Sequence, residues 1–399
     1  MQSGTCVIKN ARIVLPESVI SNGFLEIVDG RIARISAGEY STSNTELIFD
    51  AQKATLTPGF IDLHVHGGNG GTFNSIDPAE HNLARKFHLK NGTTSMLATT
   101  HTTEFSSLLA ILKSLSTSSR SNENGSKVLG IHTEGPFISE YKPGAHVVAQ
   151  LRAGSLLEID KVISAADDFI TMVTVAPEIP GGLDLIKYLK SKNIISAIGH
   201  TNATYAQAVA GIKAGARSTT HLFNAMSALS HRDPGAVGAI LDSDEIFAEL
   251  ILDGIHIDEA IFRIALKSKG INRINLITDA TYLAGFPDGD YGSLPDRAVT
   301  KTGGKIVVAG TDTLAGSALD MNMVYKNAAK FAQLSQPELS KITSLNAARI
   351  LGKESDIGSI EVGKLADLVL LDTEFSACAT MVEGQWKHVS AGWEEALSR

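Results

Sequence analysis

Six side chains able to bind a metal or carry a proton stand at the ends of short apolar runs in this chain. His64 and His66 close "PGFIDLHVHGG", Glu134 follows "KVLGIHT", His200 closes "IISAIGH", His221 follows "STT", and Asp279 follows "INLIT". Imidazole nitrogens and carboxylate oxygens suit zinc and other divalent first-row ions, and a catalytic site of that type keeps a coordination position open for water. The i, i+2 spacing of His64 and His66 puts both on one face of a strand. Each residue also has an ordinary reading. A single strand-end histidine is commonly just hydrogen-bonded, Glu134 would be favoured at a helix N-terminus, and Asp279 would serve as a cap. Their coincidence at the same end of their strands points instead to a metal centre at the mouth of an enzyme. His132 shares a face with Glu134 and is read as a supporting or core residue. His81, His88, His101 and His388 read as ordinary surface or helix histidines.

The elements that must hold these groups repeat as strand, then helix. Eight candidate strands run from "FIDLHVH" through "TTSMLATT", "KVLGIHTEG", "ITMVTVAPE", "IISAIGH", "STTHLF" and "IFAELILDG" to "INLITDA". They are near-continuous apolar runs, as expected of a parallel sheet covered on both faces. Helical segments such as "PAEHNLARKFHLKNG", "GLDLIKYLKSKN", "TYAQAVAGIKAG" and "DEAIFRIALKSKG" lie between them and tend to stop at Gly or Asn. Eight such units predict a (β/α)8 TIM-like barrel over 58–348, with chemistry at the C-terminal ends of the strands. Short β-like pieces precede it, with Asp29-Gly30 as a hairpin turn, and others follow "IGSIEVGKLADLVLLD". Residues 1–57 and 349–399 are therefore expected to pair as a small β-sandwich domain. The run "STSSRSNENGS", Ser116 to Ser126, reads as an exposed loop.

Composition narrows the class. The chain has 399 residues, 43% hydrophobic and 20% charged, which is ordinary for a globular protein. A net charge of -8 argues against a phosphate-backbone binder. Two cysteines, in no CxxC pattern, exclude a disulfide scaffold or thiolate zinc site and suit a reducing compartment. With no signal-peptide pattern and no apolar run of membrane length, a cytoplasmic protein is expected.

The motifs "PGFIDLHVHG", "HTEGPF", "KPGAH", "GHTNAT", "THLFNAM", "RDPG", "DGIH", "TDA" and "GSIEVGKLADLVLLD" occur in that order. Together they resemble the N-acetylglucosamine-6-phosphate deacetylase family of the amidohydrolase superfamily, essentially from end to end. The first and last are shared across the superfamily; "HTEGPF", "GHTNAT" and "THLFNAM" are much more specific to the deacetylases. The resemblance implies that Glu134, His200 and His221 form the principal metal site, and that His64 and His66 match a second one. One or two divalent ions per subunit are therefore expected, zinc first and Fe2+, Mn2+, Co2+ or Ni2+ as alternatives. Asp279 matches the catalytic acid/base. Ala145, His146, Asn224, Ala225, His256 and the Leu314, Ala315, Gly316 segment match substrate-binding positions. Arg232 matches an arginine that reaches the sugar phosphate from the neighbouring subunit, implying a homodimer; His231 beside it receives no role. Ala315 replaces a serine common in the family, so its contact is expected through the backbone alone.

The activity so implied is metal-dependent deacetylation of N-acetylglucosamine 6-phosphate to glucosamine 6-phosphate and acetate, in amino-sugar catabolism or recycling. Asp279 would take a proton from a metal-activated water and pass it to the leaving amine. A deacetylase for N-acetylgalactosamine 6-phosphate, or another small-amide amidohydrolase, is the alternative. Dihydroorotases and hydantoinases usually bridge their metals with a modified lysine ending the fourth strand. Here that strand ends "TVAPE", with no lysine.

Overall fold

Eight short strands follow one another in the chain: Phe60–Val65, Thr93–Thr100, Lys127–Thr133, Ile170–Val175, Ile195–Ile198, Ser218–Thr219, Ala248–Ile251 and Ile274–Ile277. These are the eight runs read as strands from the sequence. In the computed structural model, which describes residues 6–41, 47–120, 125–294 and 297–398, the first six form one parallel sheet in chain order and the last two pair as another. Parallel bridges Ser218↔Phe247 and Val65↔Ala280 join the two pieces. The parallel sheet is thus curled, its eighth strand returning to its first.

Each strand leads into a helix, from Pro78–Lys90 after the first to Met321–Ala332 after the eighth. Local chemistry sets their ends. Asp77 caps the first helix by accepting from the amide of Ala79, ahead of Pro78. Thr204 and Gln207 form a capping box on the helix Tyr205–Ala214, and Gly215 stops it. Leu63, Ile131, Leu250 and Ile277 are among the fully buried strand residues of the large core. Truncating any of them to alanine would cost about 2–5 kcal/mol. The helix Phe105–Ser119 corrects one expectation, because it carries the serine-rich run onward instead of ending before it. Ser116 and Ser119 continue its buried face below Leu112 and Leu115. Residues 121–124 of that run lie outside the described residues.

The segments before and after the curled sheet lie in a nine-stranded sheet. Its main path places Gln385–Val389, Ala377–Val382 and Leu368–Leu371 beside Thr55–Pro58, then Cys6–Val14, Val19–Val28 and Arg31–Ala37. Leu47–Asp50 pairs with Cys6–Val14 and with Leu397–Ser398 off that path. Asp29 and Gly30 both take positive φ, 49° and 77°, between the paired strands Val19–Val28 and Arg31–Ala37, the geometry of a two-residue hairpin turn. Thr55–Pro58 passes directly into Phe60–Val65, so this sheet sets the height at which His64 and His66 emerge.

One element is absent from the sequence reading. Gly289–Leu294, Arg297–Thr302, Lys305–Val308 and Leu314–Ser317 form a four-stranded antiparallel sheet between the eighth strand and its helix. Val299, Ile306, Val308 and Ala315 pack there against Leu283. The Lys301 ammonium donates to the carbonyls of Leu283 and Phe286, which ties the sheet down. Among the described residues no helix is long and apolar enough to cross a membrane.

Candidate metal centre and active site

Inside the curled sheet the apolar strands carry a polar layer. His132 is buried and its Nδ1 faces the carbonyl of Leu63 at 3.2 Å. A carbonyl can only accept, so the proton lies on Nδ1 and Nε2 accepts from the Thr174 hydroxyl at 2.8 Å. Burial pushes this imidazole well below its ordinary range. It is a satisfied core histidine. Asp62 is likewise buried; it accepts from the hydroxyl of Thr278 at 2.5 Å and from two backbone amides.

Above this layer the six strand-end groups converge. Glu134, His200 and His221 form one buried triad and His64, His66 and Asp279 another, each with its ligand atoms within 4.8 Å of one another. Glu134 lies between them. Its Oε1 is 3.2 Å from His200 Nε2 and 3.0 Å from His221 Nε2, while its Oε2 is 3.3 Å from His66 Nε2. Asp279 Oδ1 is 3.1 Å from His66 Nε2 and 3.4 Å from His64 Nε2.

The proton positions favour a cation. His200 Nδ1 faces the Lys142 carbonyl at 3.0 Å and His66 Nδ1 faces the Thr99 carbonyl at 3.2 Å. Each Nδ1 is therefore the donor, and each Nε2 turns a lone pair inward. There it meets other acceptors: His200 Nε2 is 3.1 Å from His221 Nε2, and His66 Nε2 is 3.1 Å from His64 Nε2. Only protons or a cation can reconcile such a set, and the donors fit a divalent ion. With no cation, protons answer the field. Burial pulls His66 down, but its contacts with Asp279 and Glu134 raise it to about 9. Burial likewise opposes ionisation of Asp279, yet the charge of His64 and the hydrogen bond from His66 hold it at about 2. Glu134 is held well below its usual range by His64 and by bonds from His146, His200 and His221, against the effect of burial.

Backbone conformation marks the same residues. His200, His221 and Asp279 have φ of 44°, 35° and 51°, in the left-handed region that side chains other than Gly and Asn seldom enter. Asp279 is pinned from two sides: its amide donates to the His64 carbonyl, and its own carbonyl accepts from Ser317, both at 2.8 Å. Gly316 makes this approach possible, because a Cβ there would lie 2.8 Å from the Asp279 carbonyl oxygen. His221, Phe223 and Ala225 all take positive φ, so the chain turns tightly along this segment.

His66, Asp279, Glu134, His200 and His221 floor a cavity of about 580 Å³, with His64 buried beneath it, a volume suited to a small metabolite. Ala145, His146, Asn224, Ala225, His256, Leu314, Ala315 and Gly316 all line it. His146 accepts from the Thr102 amide through Nδ1, leaving its Nε2–H for Glu134 Oε2 at 3.4 Å. His256 donates from Nδ1 to Asp253 Oδ2 at 2.7 Å, so its Nε2 is available to a ligand. Arg232 and His231 are exposed, and neither is among the residues that line the cavity of their own chain. Glu178, after the fourth strand, accepts from Thr201 and Asn202 and stands apart from the triads.

Several residues of the site escaped the sequence reading. Lys142, Ile251, Val299, Val308 and Asp312 line the cavity. His101 is no surface residue: it lines the cavity with its ring 5.9 Å from that of His66. His81 and His88 are helical but fully buried, with His88 holding the Gly67 carbonyl at 2.9 Å. Asp253 could have been noticed within "DGIH", and Glu249 as the one carboxylate inside the apolar run "IFAELIL".

The model of the amidohydrolase family matches residues 55–390. The chain is 36% identical over 392 residues to N-acetylglucosamine-6-phosphate deacetylase of Bacillus subtilis, spanning 96% of this chain and 97% of that one. It is 34% identical to N-acetylgalactosamine-6-phosphate deacetylase of Escherichia coli O157:H7, spanning 96% and 99%. A solved mutant of the Mycobacterium smegmatis N-acetyl-D-glucosamine-6-phosphate deacetylase, in complex with N-acetyl-D-glucosamine-6-phosphate, superposes with a TM-score of 0.89 at 33% identity, over 97% and 99% of the two chains.

Proposed function

The chain belongs to the amidohydrolase family, and from that premise we propose that it hydrolyses the acetamide of N-acetylglucosamine 6-phosphate to glucosamine 6-phosphate and acetate. The observation that carries this reading is the placement of a buried carboxylate, Asp279, against a donor set suited to a divalent ion on the floor of a sugar-sized cavity. We read the curled sheet and its helices as a closed (β/α)8 barrel, and the branched nine-stranded sheet as a small β-sandwich domain.

Glu134, His200 and His221 would hold the principal cation, zinc or another divalent first-row ion, and His64 and His66 a second. Bound there, such an ion would supply polarisation of an acyl oxygen and would lower the pKa of water to about 7. Asp279 does the proton work: it accepts the proton of the attacking water and delivers it to the nitrogen of the departing amine. An amine leaves poorly without that proton, so both halves of the transfer matter. His146, whose Nε2–H is directed at Glu134, lines the cavity beside the reacting groups, and its substrate contact would replace that bond.

The remaining contacts orient the sugar phosphate. The Asn224 side chain, the Ala225 backbone amide and the His256 ring supply hydrogen bonds, and Ala315 can offer only its backbone. Arg232 would reach the phosphate bound in a partner subunit, as a planar two-pronged donor. The working unit is then a homodimer, in the cytoplasm.

The test is acetate release from N-acetylglucosamine 6-phosphate by the metal-loaded protein, with the unphosphorylated sugar a far poorer substrate. No release with zinc, iron, manganese, cobalt or nickel would overturn the proposal. The 34% identity to a galactosamine-phosphate deacetylase supports a second reading, which the 4-epimer in the same assay decides.

A further inference from the structure

Behind His64, two buried polar atoms face each other, and neither has a hydrogen-bond partner. His64 Nδ1 and Glu249 Oε2 lie 3.8 Å apart, and both side chains are 0% exposed. That separation excludes an intervening water, which would hold them roughly 4.5 Å or more apart. It exceeds a hydrogen bond by less than 1 Å, within reach of a small side-chain rotation. Leaving both unsatisfied would cost each its desolvation. Of the other inward-turned rings, His66 and His200 anchor Nδ1 on the backbone carbonyls of Thr99 and Lys142. For His64 the acceptor within reach is a carboxylate.

That carboxylate is itself fixed. Glu249 Oε1 accepts from the Ser218 hydroxyl at 3.3 Å, and its backbone amide donates to Thr219 Oγ1 at 3.0 Å. The Glu249 carbonyl accepts from the Leu222 amide at 2.8 Å. On its other faces the His64 ring meets His132 edge-on at 4.9 Å and His221 stacked at 5.5 Å. These neighbours limit its rotation and leave Nδ1 directed at Glu249.

We infer that Glu249 is a positioning residue for the second metal position. It accepts the His64 Nδ1–H, fixes the tautomer that turns the Nε2 lone pair toward Asp279 and Glu134, and makes that nitrogen a stronger donor than a backbone carbonyl would. The inference rests on the reading of His64 and His66 as that position.

Stepwise zinc titration of metal-free protein, followed by metal analysis, tests it against Glu249→Leu and Glu249→Gln. Glu249→Leu should weaken the second equivalent about 10–100-fold and leave the first unchanged. Glu249→Gln keeps an acceptor and should recover part of the loss. In the zinc-loaded wild type, histidine-labelled NMR should show a downfield, exchange-protected Nδ1–H proton on His64, absent from the leucine variant. Equal binding of both equivalents by wild type and Glu249→Leu would overturn the inference alone. A wild type that never takes a second equivalent would overturn the two-metal reading and this inference with it. If Glu249→Leu fails to fold, the wild-type resonance decides: a protected proton supports the role, and a freely exchanging one removes it.

Discussion

Glu134, His200, His221, His64, His66 and Asp279 stand at the ends of strands paired to neighbours within one large core. Leu314, Ala315 and Gly316 stand on a four-stranded antiparallel sheet with a small core of its own around Leu283 and Val299. The floor of the cavity is fully buried, over-determined by backbone hydrogen bonds, and dense in charge. The rim mixes small apolar residues, backbone amides and half-buried side chains. Chemistry that must hold reacting groups in place belongs on the first kind of scaffold. Recognition that must admit and release a substrate belongs on the second. Substitutions on the floor should accordingly act on kcat or metal content, and those on the rim on KM.

The largest effect should come from Asp279→Asn. It keeps the shape of the side chain and removes the proton acceptor, so kcat should fall about 10²–10⁴-fold, with metal content by elemental analysis unchanged. A variant that instead loses its metal would make Asp279 chiefly a ligand. Next, Arg232→Ala should raise KM for the sugar phosphate about 10–100-fold, the equivalent of a charge-assisted contact of roughly 1.5–3 kcal/mol, with kcat little changed. Mixing it with an Asp279→Asn chain sharpens the contrast. If the arginine serves a partner, the mixture should contain one site that has both Asp279 and an intact Arg232 and regain activity.

The smallest effect concerns protons alone. His66 lies at about 9 in the metal-free fold against 6.5 for the free side chain. Its contribution to stability is therefore complete below pH 6.5 and is lost as pH rises through 9. Asp279, depressed from 3.8 to about 2, contributes above pH 3.8 and loses that contribution as pH falls through 2. The melting temperature of chelator-treated protein should thus decline between pH 6.5 and 9, and zinc-loaded protein should decline less. Melting curves that stay flat for the chelated form would show that Asp279 and Glu134 do not hold His66 protonated in the metal-free fold.

The strands and the six convergent residues were legible because the parallel strands are apolar runs that end abruptly in a histidine or carboxylate. Glu249 and Asp62 were harder to see. Both lie inside such runs, and a strand buried on both faces does not reveal which residues point inward. The antiparallel insertion carries one local signal, its Gly-Gly pair: Gly303 and Gly304 take φ of 58° and 82° between the paired residues Thr302 and Lys305. The serine-rich run misled because Ser116 and Ser119 are small enough to continue a buried helix face. No local pattern could supply the clamp on Asp279. It joins His64 and Ser317, which are far apart in the chain and adjacent only because the sheet curls.

The left-handed backbone at His200, His221 and Asp279 sets selection for a stable chain against selection for a working one. A glycine at any of the three would relax the main chain and delete the side chain the site depends on. A library screened only for heat resistance, in the absence of metal, should drift toward glycine at these positions and toward inactivity. The same library screened for acetate release should never accept that change, so the two screens would separate the cost of the fold's strain from its use.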